Sequence, residues 1–214
     1  MPIERLTETS LLAAVKRLAR RDPHLGQILR SHGAPPLWAR DPGYETLALM
    51  ILEQQVSLAS ARAAFERLIE RLGVLTPERF LELDDSMLRA IGFSRQKARY
   101  VRLLSQAVLD RSFDPASLTD LDDDGARSLL TSLTGIGAWT AEVYLLMALR
   151  RPDVWPTGDR ALVVAAREIK GLDHDPTPEE LEILGESWRP WRAVAARRPC
   201  RSCPRRPCRR CAPA

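Results

Sequence analysis

The sequence predicts an all-α protein, and three observations point to this class. Apolar residues recur at the spacing that places them on one face of a helix, as at Leu11, Val15 and Leu18. Capping residues followed directly by proline, as in Thr76-Pro77 and Thr177-Pro178, are typical of helix starts. No segment alternates polar and apolar residues over the length of a strand. We therefore expect helices joined by short loops.

The predicted helices follow one another along the whole chain. The first begins after Thr9-Ser10, which we expect to cap it. The second begins at Asp22-Pro23, with Asp22 as the cap. Further helices are expected at 44–55, 57–72, from 76 onward, 87–91, 94–109, 122–133, 138–149, 159–171 and 177–188.

The composition is that of a globular protein, with 45% hydrophobic and 28% charged residues among 214. No apolar run approaches the roughly 20 residues that span a bilayer, and the N-terminus lacks the apolar stretch of a signal peptide. We expect a monomer without membrane association, in the cytoplasm of a bacterium or in a nucleus.

The net charge of +4 comes from the C-terminal tail, because the last 23 residues contain eight arginines and no acidic residue. The remaining residues carry 24 basic against 28 acidic side chains. The tail also holds all four cysteines, at the spacing C-x2-C-x4-C-x2-C: Cys200, Cys203, Cys208 and Cys211. Because the sequence shows no secretory signal, metal binding by thiolates is a more natural interpretation of these cysteines than disulfide bonds. We divide the chain into a domain at 1–198 and a tail at 199–214.

A glycine-containing hairpin at Gly135-Ile136-Gly137 separates two of the predicted helices. Two glycines permit positive φ and a tight reversal, which directs backbone N–H groups outward at the start of a helix. Such groups bind a phosphate, and Ile136 between the glycines is expected to pack inward. An ordinary tight turn between helices is the alternative interpretation.

Four motifs in order resemble the helix-hairpin-helix Gly/Pro-Asp superfamily of DNA glycosylases. They are Gln54-Gln55-Val56-Ser57, the hairpin with Thr140-Ala141, Pro156-Thr157-Gly158-Asp159, and Trp188-Arg189-Pro190-Trp191-Arg192. The resemblance covers roughly residues 10–195 and is strongest to the branch of DNA-3-methyladenine glycosylase II, without its N-terminal β domain. It implies two helical lobes with a DNA cleft between them. Residues near 40–150 would form one lobe, and both termini would complete the other.

The resemblance assigns the catalytic carboxylate to Asp159. Breaking an N-glycosidic bond develops positive charge on the sugar, which a fixed carboxylate stabilises while it orients water. An aspartate that begins a helix is otherwise an N-cap, and the two roles are compatible. Other carboxylates, at Asp153 and Asp122 to Asp124, are interpreted as capping or solvent-facing groups.

Bifunctional relatives carry a lysine nucleophile two residues after the second hairpin glycine, and Trp139 occupies that position here. Indole is no nucleophile, so a monofunctional, water-dependent reaction is expected. Trp139 is either a core residue or a platform on which an extruded base stacks. Tyr144, Trp155 and Trp191 are the other base-pocket candidates, although aromatic residues at helical spacing are more often core.

A base must leave the duplex before it is excised, and a side chain fills the gap. Gln55 matches the family's wedge position, with Gln54 as its neighbouring support, unless both simply end a helix and face water. Gly135, Ile136, Gly137 and Thr140 complete the predicted DNA-binding set.

The C-terminus departs from the family in two ways. The cysteine spacing differs from that of relatives with an iron–sulfur cluster, so zinc, a cluster and an unstructured tail all remain open. Relatives continue past Trp191-Arg192 with an apolar helix, whereas Ala195-Ala196-Arg197-Arg198 interrupts that pattern here. One wall of the base pocket is therefore in doubt.

The expected function is excision of damaged, alkylated bases from double-stranded DNA in base excision repair, with no cofactor needed for catalysis. An oxidised-base or mismatch glycosylase is the alternative among enzymes. A noncatalytic helix-hairpin-helix DNA-binding protein is the alternative outside them.

Overall fold

A computed structural model describes residues 4–197 of the chain, and all regular secondary structure in that range is helical. The predicted fold class is therefore confirmed. None of these helices has the length and apolar content needed to span a bilayer. The α-helices are α1 Glu8–Arg21, α2 Pro23–His32, α3 Tyr44–Glu53, α4 Leu58–Leu72, α5 Pro77–Leu81, α6 Asp85–Ile91, α7 Arg95–Leu109, α8 Asp123–Thr131, α9 Ala138–Met147, α10 Arg160–Lys170, α11 Pro178–Glu186 and α12 Arg192–Ala196.

The described residues divide into two compact units. One unit, here called the hairpin unit, holds residues 40–140, and the other, the carboxylate unit, holds residues 4–39 and 141–197. Each unit is described by itself below.

The hairpin unit is built around α3, which packs against α4 and α7. Its apolar stretch places Leu47 and Ile51 fully inside the unit. Phe80 of α5 and Phe93 lie in the same unit with ring centroids 5.6 Å apart. Burial of these side chains supplies the hydrophobic stabilisation that holds the short helices together.

The carboxylate unit contains α1 and α2, with α12 packed against α1. Trp155 and Trp188 meet edge to face, with ring centroids 5.3 Å apart. This geometry is favourable for aromatic pairs, and both rings are buried. The short helix α12 was not predicted from sequence.

Helix starts follow the predicted capping chemistry with one correction. Thr7, rather than Thr9 or Ser10, is the N-cap of α1, and Ser10 completes a capping box by accepting a hydrogen bond from the Thr7 N–H. The predicted cap was therefore two residues late. The end of α3 was also misplaced, because the helix stops at Glu53 and leaves Gln54 and Gln55 outside it.

Candidate active site

The hairpin lies between α8 and α9, in the hairpin unit. Gly135 has φ of +97°, the left-handed region that disfavours other residues. Gly137 does not have a positive φ, so the first of the two glycines alone supplies the left-handed backbone of the reversal. The Ile136 N–H donates to the Leu133 carbonyl (3.0 Å), and the Ile136 side chain is buried as predicted.

Gly137 contributes open space instead of an unusual backbone angle. A Cβ atom built on it would meet no atom within 4 Å, and the residue is exposed. The backbone at the start of α9 is thus accessible to an anion, where the helix dipole also favours negative charge. Ile136 and Thr140 are buried, so their side chains support the hairpin from inside.

Gln54 and Gln55 have different environments. The Gln54 Nε2 donates to the Gly135 carbonyl (2.8 Å) and approaches the Thr140 Oγ1 (3.4 Å). Gln55 is exposed and has φ of +56°. Gln54 therefore joins the end of α3 to the hairpin, while Gln55 projects from the surface beside it.

An open groove, here called the hairpin groove, brings several predicted residues together. It is lined by the hairpin itself together with Gln54, Gln55, Gln96, Lys97, Tyr100 and Trp139. Trp139 is 45% exposed, which is a surface position for so large an apolar side chain. Tyr100 was not predicted as a site residue. Lys97 belongs to the basic run Arg95-Gln96-Lys97-Ala98-Arg99, which from the sequence is either a contact for backbone phosphate or an exposed charged helix face.

Asp159 lies in the carboxylate unit as the N-cap of α10. Its Oδ1 accepts from the backbone N–H groups of Ala161 (2.7 Å) and Leu162 (3.2 Å). The Asp159 N–H donates to the Pro156 carbonyl (2.9 Å), which closes a turn before the helix. These bonds fix the carboxylate of this half-buried residue. A fixed carboxylate at a helix start is a suitable group for stabilising cationic charge.

Three of the predicted pocket aromatics lie in the carboxylate unit, in two kinds of position. Tyr144 is fully buried, and Trp155 is buried with its Nε1 donating to the Leu181 carbonyl (2.9 Å). These are positions of core side chains. Trp191 is half-buried, with the Arg17 guanidinium 5.3 Å from its ring centroid.

The competing aspartates have structural roles, of which the cap at Asp122 was predicted and the ion pairs of Asp153 were not. Asp122 is the N-cap of α8 through the Gly125 N–H (2.7 Å). Asp153 is paired with Arg189 and Arg192.

Residues 4–197 contain no group of three or more His, Cys, Asp or Glu side chains arranged to hold a metal ion. Cys200, Cys203, Cys208 and Cys211 lie outside the described residues.

Residues 48–190 match the family model described as HhH-GPD superfamily base excision DNA repair protein. The chain belongs to this superfamily. The matched stretch contains both glutamines, the hairpin and Asp159. The HhH-GPD match leaves α1, α2 and α12 outside its bounds.

Individual HhH-GPD proteins are similar over most of the chain. A putative DNA-3-methyladenine glycosylase of Bacillus subtilis is 27% identical over 180 residues, covering 80% of this chain and 63% of the relative. A DNA-3-methyladenine glycosidase structure from Bacillus halodurans is 29% identical, with a TM-score of 0.73 and 86% of both chains covered. The 3-methyladenine DNA glycosylase of Schizosaccharomyces pombe, solved with abasic DNA, is 25% identical, with a TM-score of 0.76 and 86% and 93% covered. The chain thus spans just under two thirds of the Bacillus subtilis relative's length.

Proposed function

We propose that this protein is a monofunctional DNA glycosylase that removes alkylated bases from double-stranded DNA in base excision repair. Membership of the HhH-GPD superfamily supports the repair role. The 3-methyladenine activity in the names of its relatives supports the choice of alkylated bases. We further propose that it acts as a monomer in the cellular compartment that contains the DNA.

The observation that carries the proposal is the placement of Asp159, whose carboxylate is held at the start of α10 by two backbone N–H groups. In the proposed reaction the bond between C1′ and the base nitrogen breaks, and both electrons leave with the base. A water oxygen then bonds to C1′, and its proton passes to Asp159 or to solvent. The negative charge of Asp159 stabilises the cationic sugar between these events.

This arrangement suits alkylated purines for a chemical reason. A purine methylated on a ring nitrogen carries a positive charge, so it departs as a neutral molecule when it takes the bonding electrons. Such a leaving group needs no proton from the protein. One fixed carboxylate therefore meets the main catalytic requirement.

The hairpin groove supplies the proposed DNA contacts. The exposed backbone at Gly137 accepts a phosphate, Gln55 enters the duplex where the base has left, and Trp139 offers a stacking surface. Trp139 also stands where bifunctional relatives have lysine, which supports a hydrolytic reaction without strand cleavage.

The decisive experiment is base release from duplexes that carry one methylated, deaminated, oxidised or mismatched base. The wild type should release the methylated purine fastest. Asp159→Asn should lose on the order of a hundredfold or more in single-turnover rate, because asparagine keeps the cap but removes the charge.

Asp122→Asn is the matched control, since it makes the same change at the N-cap of α8. It should leave the rate unchanged. Fastest release of an oxidised or mismatched base would replace the alkylated-base assignment. DNA binding without release of any base would support the noncatalytic alternative.

A further inference from the structure

Gln55 has a backbone conformation that needs support. It is a non-glycine residue with φ of +56°, and its side chain is exposed. The left-handed region costs an L-residue roughly 1–2 kcal/mol. Residues persist in such conformations where the surrounding structure over-determines them, and they concentrate at functional sites.

The three residues before Gln55 are each tied to a different part of the hairpin unit. The Leu52 carbonyl accepts from the Lys97 Nζ (2.7 Å) of α7. Glu53 forms two hydrogen bonds with the Arg40 guanidinium, both at 2.9 Å. Gln54 donates to the Gly135 carbonyl of the hairpin (2.8 Å).

These ties differ in what they connect. The Lys97 bond satisfies a carbonyl that the last turn of α3 leaves without an intrahelical partner, and the Arg40–Glu53 pair holds the helix end from the other flank. Only the Gln54 bond connects the chain next to Gln55 with the segment that is proposed to hold a phosphate. Its acceptor is the carbonyl of the residue whose positive φ forms the hairpin.

We propose that Gln54 is a positioning residue that couples the hairpin to Gln55, so that seating the DNA backbone also sets the depth at which Gln55 enters the duplex. This inference rests on the proposed function, in which Gln55 fills the gap left by the extruded base. Gln54 itself touches neither the reacting sugar nor the base.

The coupling predicts a substrate-dependent defect. Extruding a base from a paired duplex costs unstacking and unpairing energy that the inserted side chain must offset, whereas a base in a bubble is already unpaired. Loss of the Gln54 amide should therefore slow excision from paired DNA and leave excision from a bubble nearly unchanged. A general loss of structure would slow both.

The experiment measures single-turnover excision of 7-methylguanine, paired with cytosine or placed inside a five-nucleotide bubble. Gln54→Met keeps the length of the side chain and removes the donor. We expect on the order of a tenfold decrease on the paired substrate, the scale of one hydrogen bond, and less than twofold on the bubble. Gln106→Met, the same change at an exposed position of α7, should alter neither rate.

The outcomes separate this inference from the function on which it rests. If the wild type releases no 7-methylguanine, the proposed function fails. If Gln55→Ala has no effect on the paired substrate, Gln55 does not have the role proposed for it. A defect in Gln55→Ala without a paired-substrate defect in Gln54→Met would overturn the coupling alone. Equal losses on both substrates would reduce Gln54 to a structural residue. If Gln54→Met folds poorly, Gln54→Glu tests the same bond in the same shape.

Discussion

Tyr100 lies directly against Gly135, in the hairpin unit. A Cβ atom on Gly135 would stand 2.4 Å from the Cγ of the tyrosine ring, nearer than any real Cβ contact. The second glycine, Gly137, has open space at the corresponding point. The two glycines of the hairpin therefore serve different purposes, one for folding and one for access.

Alanine at the two positions should separate these purposes. In Gly135→Ala the added Cβ would clash with the Tyr100 ring, and the alanine would have to adopt an unfavourable positive φ. We therefore expect this substitution to lower the free energy of unfolding by about 2 kcal/mol or more. Gly137→Ala should change stability by less than about 0.5 kcal/mol and still weaken DNA binding. Urea denaturation and binding to an undamaged duplex measure the two effects. Equal destabilisation by both substitutions would contradict the division of roles.

The identity of the fold and of the hairpin could be predicted from local sequence signals. Helical periodicity, proline after a capping residue and the Gly135-Ile136-Gly137 spacing all act over a few neighbouring residues. They are readable without knowing what packs where. The exposure of Trp139 and the burial of Tyr144 could not be read in this way, because both are aromatic residues on the same helix. Tertiary packing alone decides which of them faces solvent.

Long-range contacts explain the other omissions. Tyr100 supports Gly135 from α7, and Gln54 reaches the hairpin across 81 positions of sequence. No local pattern encodes such a pairing. The first helix cap was misplaced for the opposite reason, since Thr7, Thr9 and Ser10 all have capping side chains and only their hydrogen bonds select one.

Asp22 joins three segments of the carboxylate unit. Its Oδ1 caps α2, while its Oδ2 accepts from the Lys170 Nζ (2.7 Å) and the Trp188 Nε1 (2.8 Å). Burial alone would raise the pKa of Asp22, but the hydrogen bonds from Lys170 and Trp188 hold that pKa below its usual value. The ionised form is therefore the one that the folded protein favours.

We predict that Asp22→Asn lowers the free energy of unfolding by about 2 kcal/mol at pH 7, because the half-buried ammonium of Lys170 loses its counter-charge. A lowered pKa contributes stability above the unfolded pKa, and that contribution is lost as pH falls through the folded pKa. The difference between wild type and variant should thus shrink as pH falls below about 4. A difference that is constant from pH 7 to pH 3 in urea denaturation would argue against an ionic contribution.

Arg197 marks the C-terminal limit of the packed chain that the structure describes. Its buried guanidinium donates to the carbonyls of Leu37 (2.9 Å), Ala193 (3.2 Å) and Leu146. Burial lowers the pKa of Arg197 to about 10, which still leaves the side chain charged at neutral pH. Removing it would leave three buried carbonyls without this donor.

Two truncations should therefore behave differently. Ending the chain after Arg198 removes five arginines and all four cysteines. It should preserve the melting temperature and base excision, while it weakens DNA binding and flattens its salt dependence. Ending it after Ala196 also removes Arg197 and should lower the melting temperature by several degrees.

Metal analysis of the anaerobically purified full chain would show whether it carries zinc, iron or neither. Whichever result is obtained, we expect the chain that ends at Arg198 to retain base excision. Loss of folding on truncation after Arg198 would instead show that residues 199–214 are structural.

The last prediction concerns the reaction type. Trp139 offers no amine to the opened sugar, so the wild type should produce an intact strand with an abasic site, cut only after alkali is added. Borohydride should trap no covalent adduct during turnover. Lys97 also lines the hairpin groove, but its Nζ donates to the Leu52 carbonyl. Lys97→Met should consequently leave the trapping result unchanged.

Trp139→Lys provides the positive comparison, because it places an amine where bifunctional relatives carry their nucleophile. If Trp139 faces the sugar, this variant should gain borohydride-trapped adduct and some strand cleavage, whereas Trp139→Phe should gain neither. Measuring adduct on a denaturing gel for wild type, both Trp139 variants and Lys97→Met distinguishes the sources of amine. Efficient trapping by the wild type that disappears in Lys97→Met would make Lys97 the nucleophile and the protein a bifunctional enzyme. Trapping by the wild type that survives in all variants would place the amine elsewhere and equally overturn the hydrolytic mechanism.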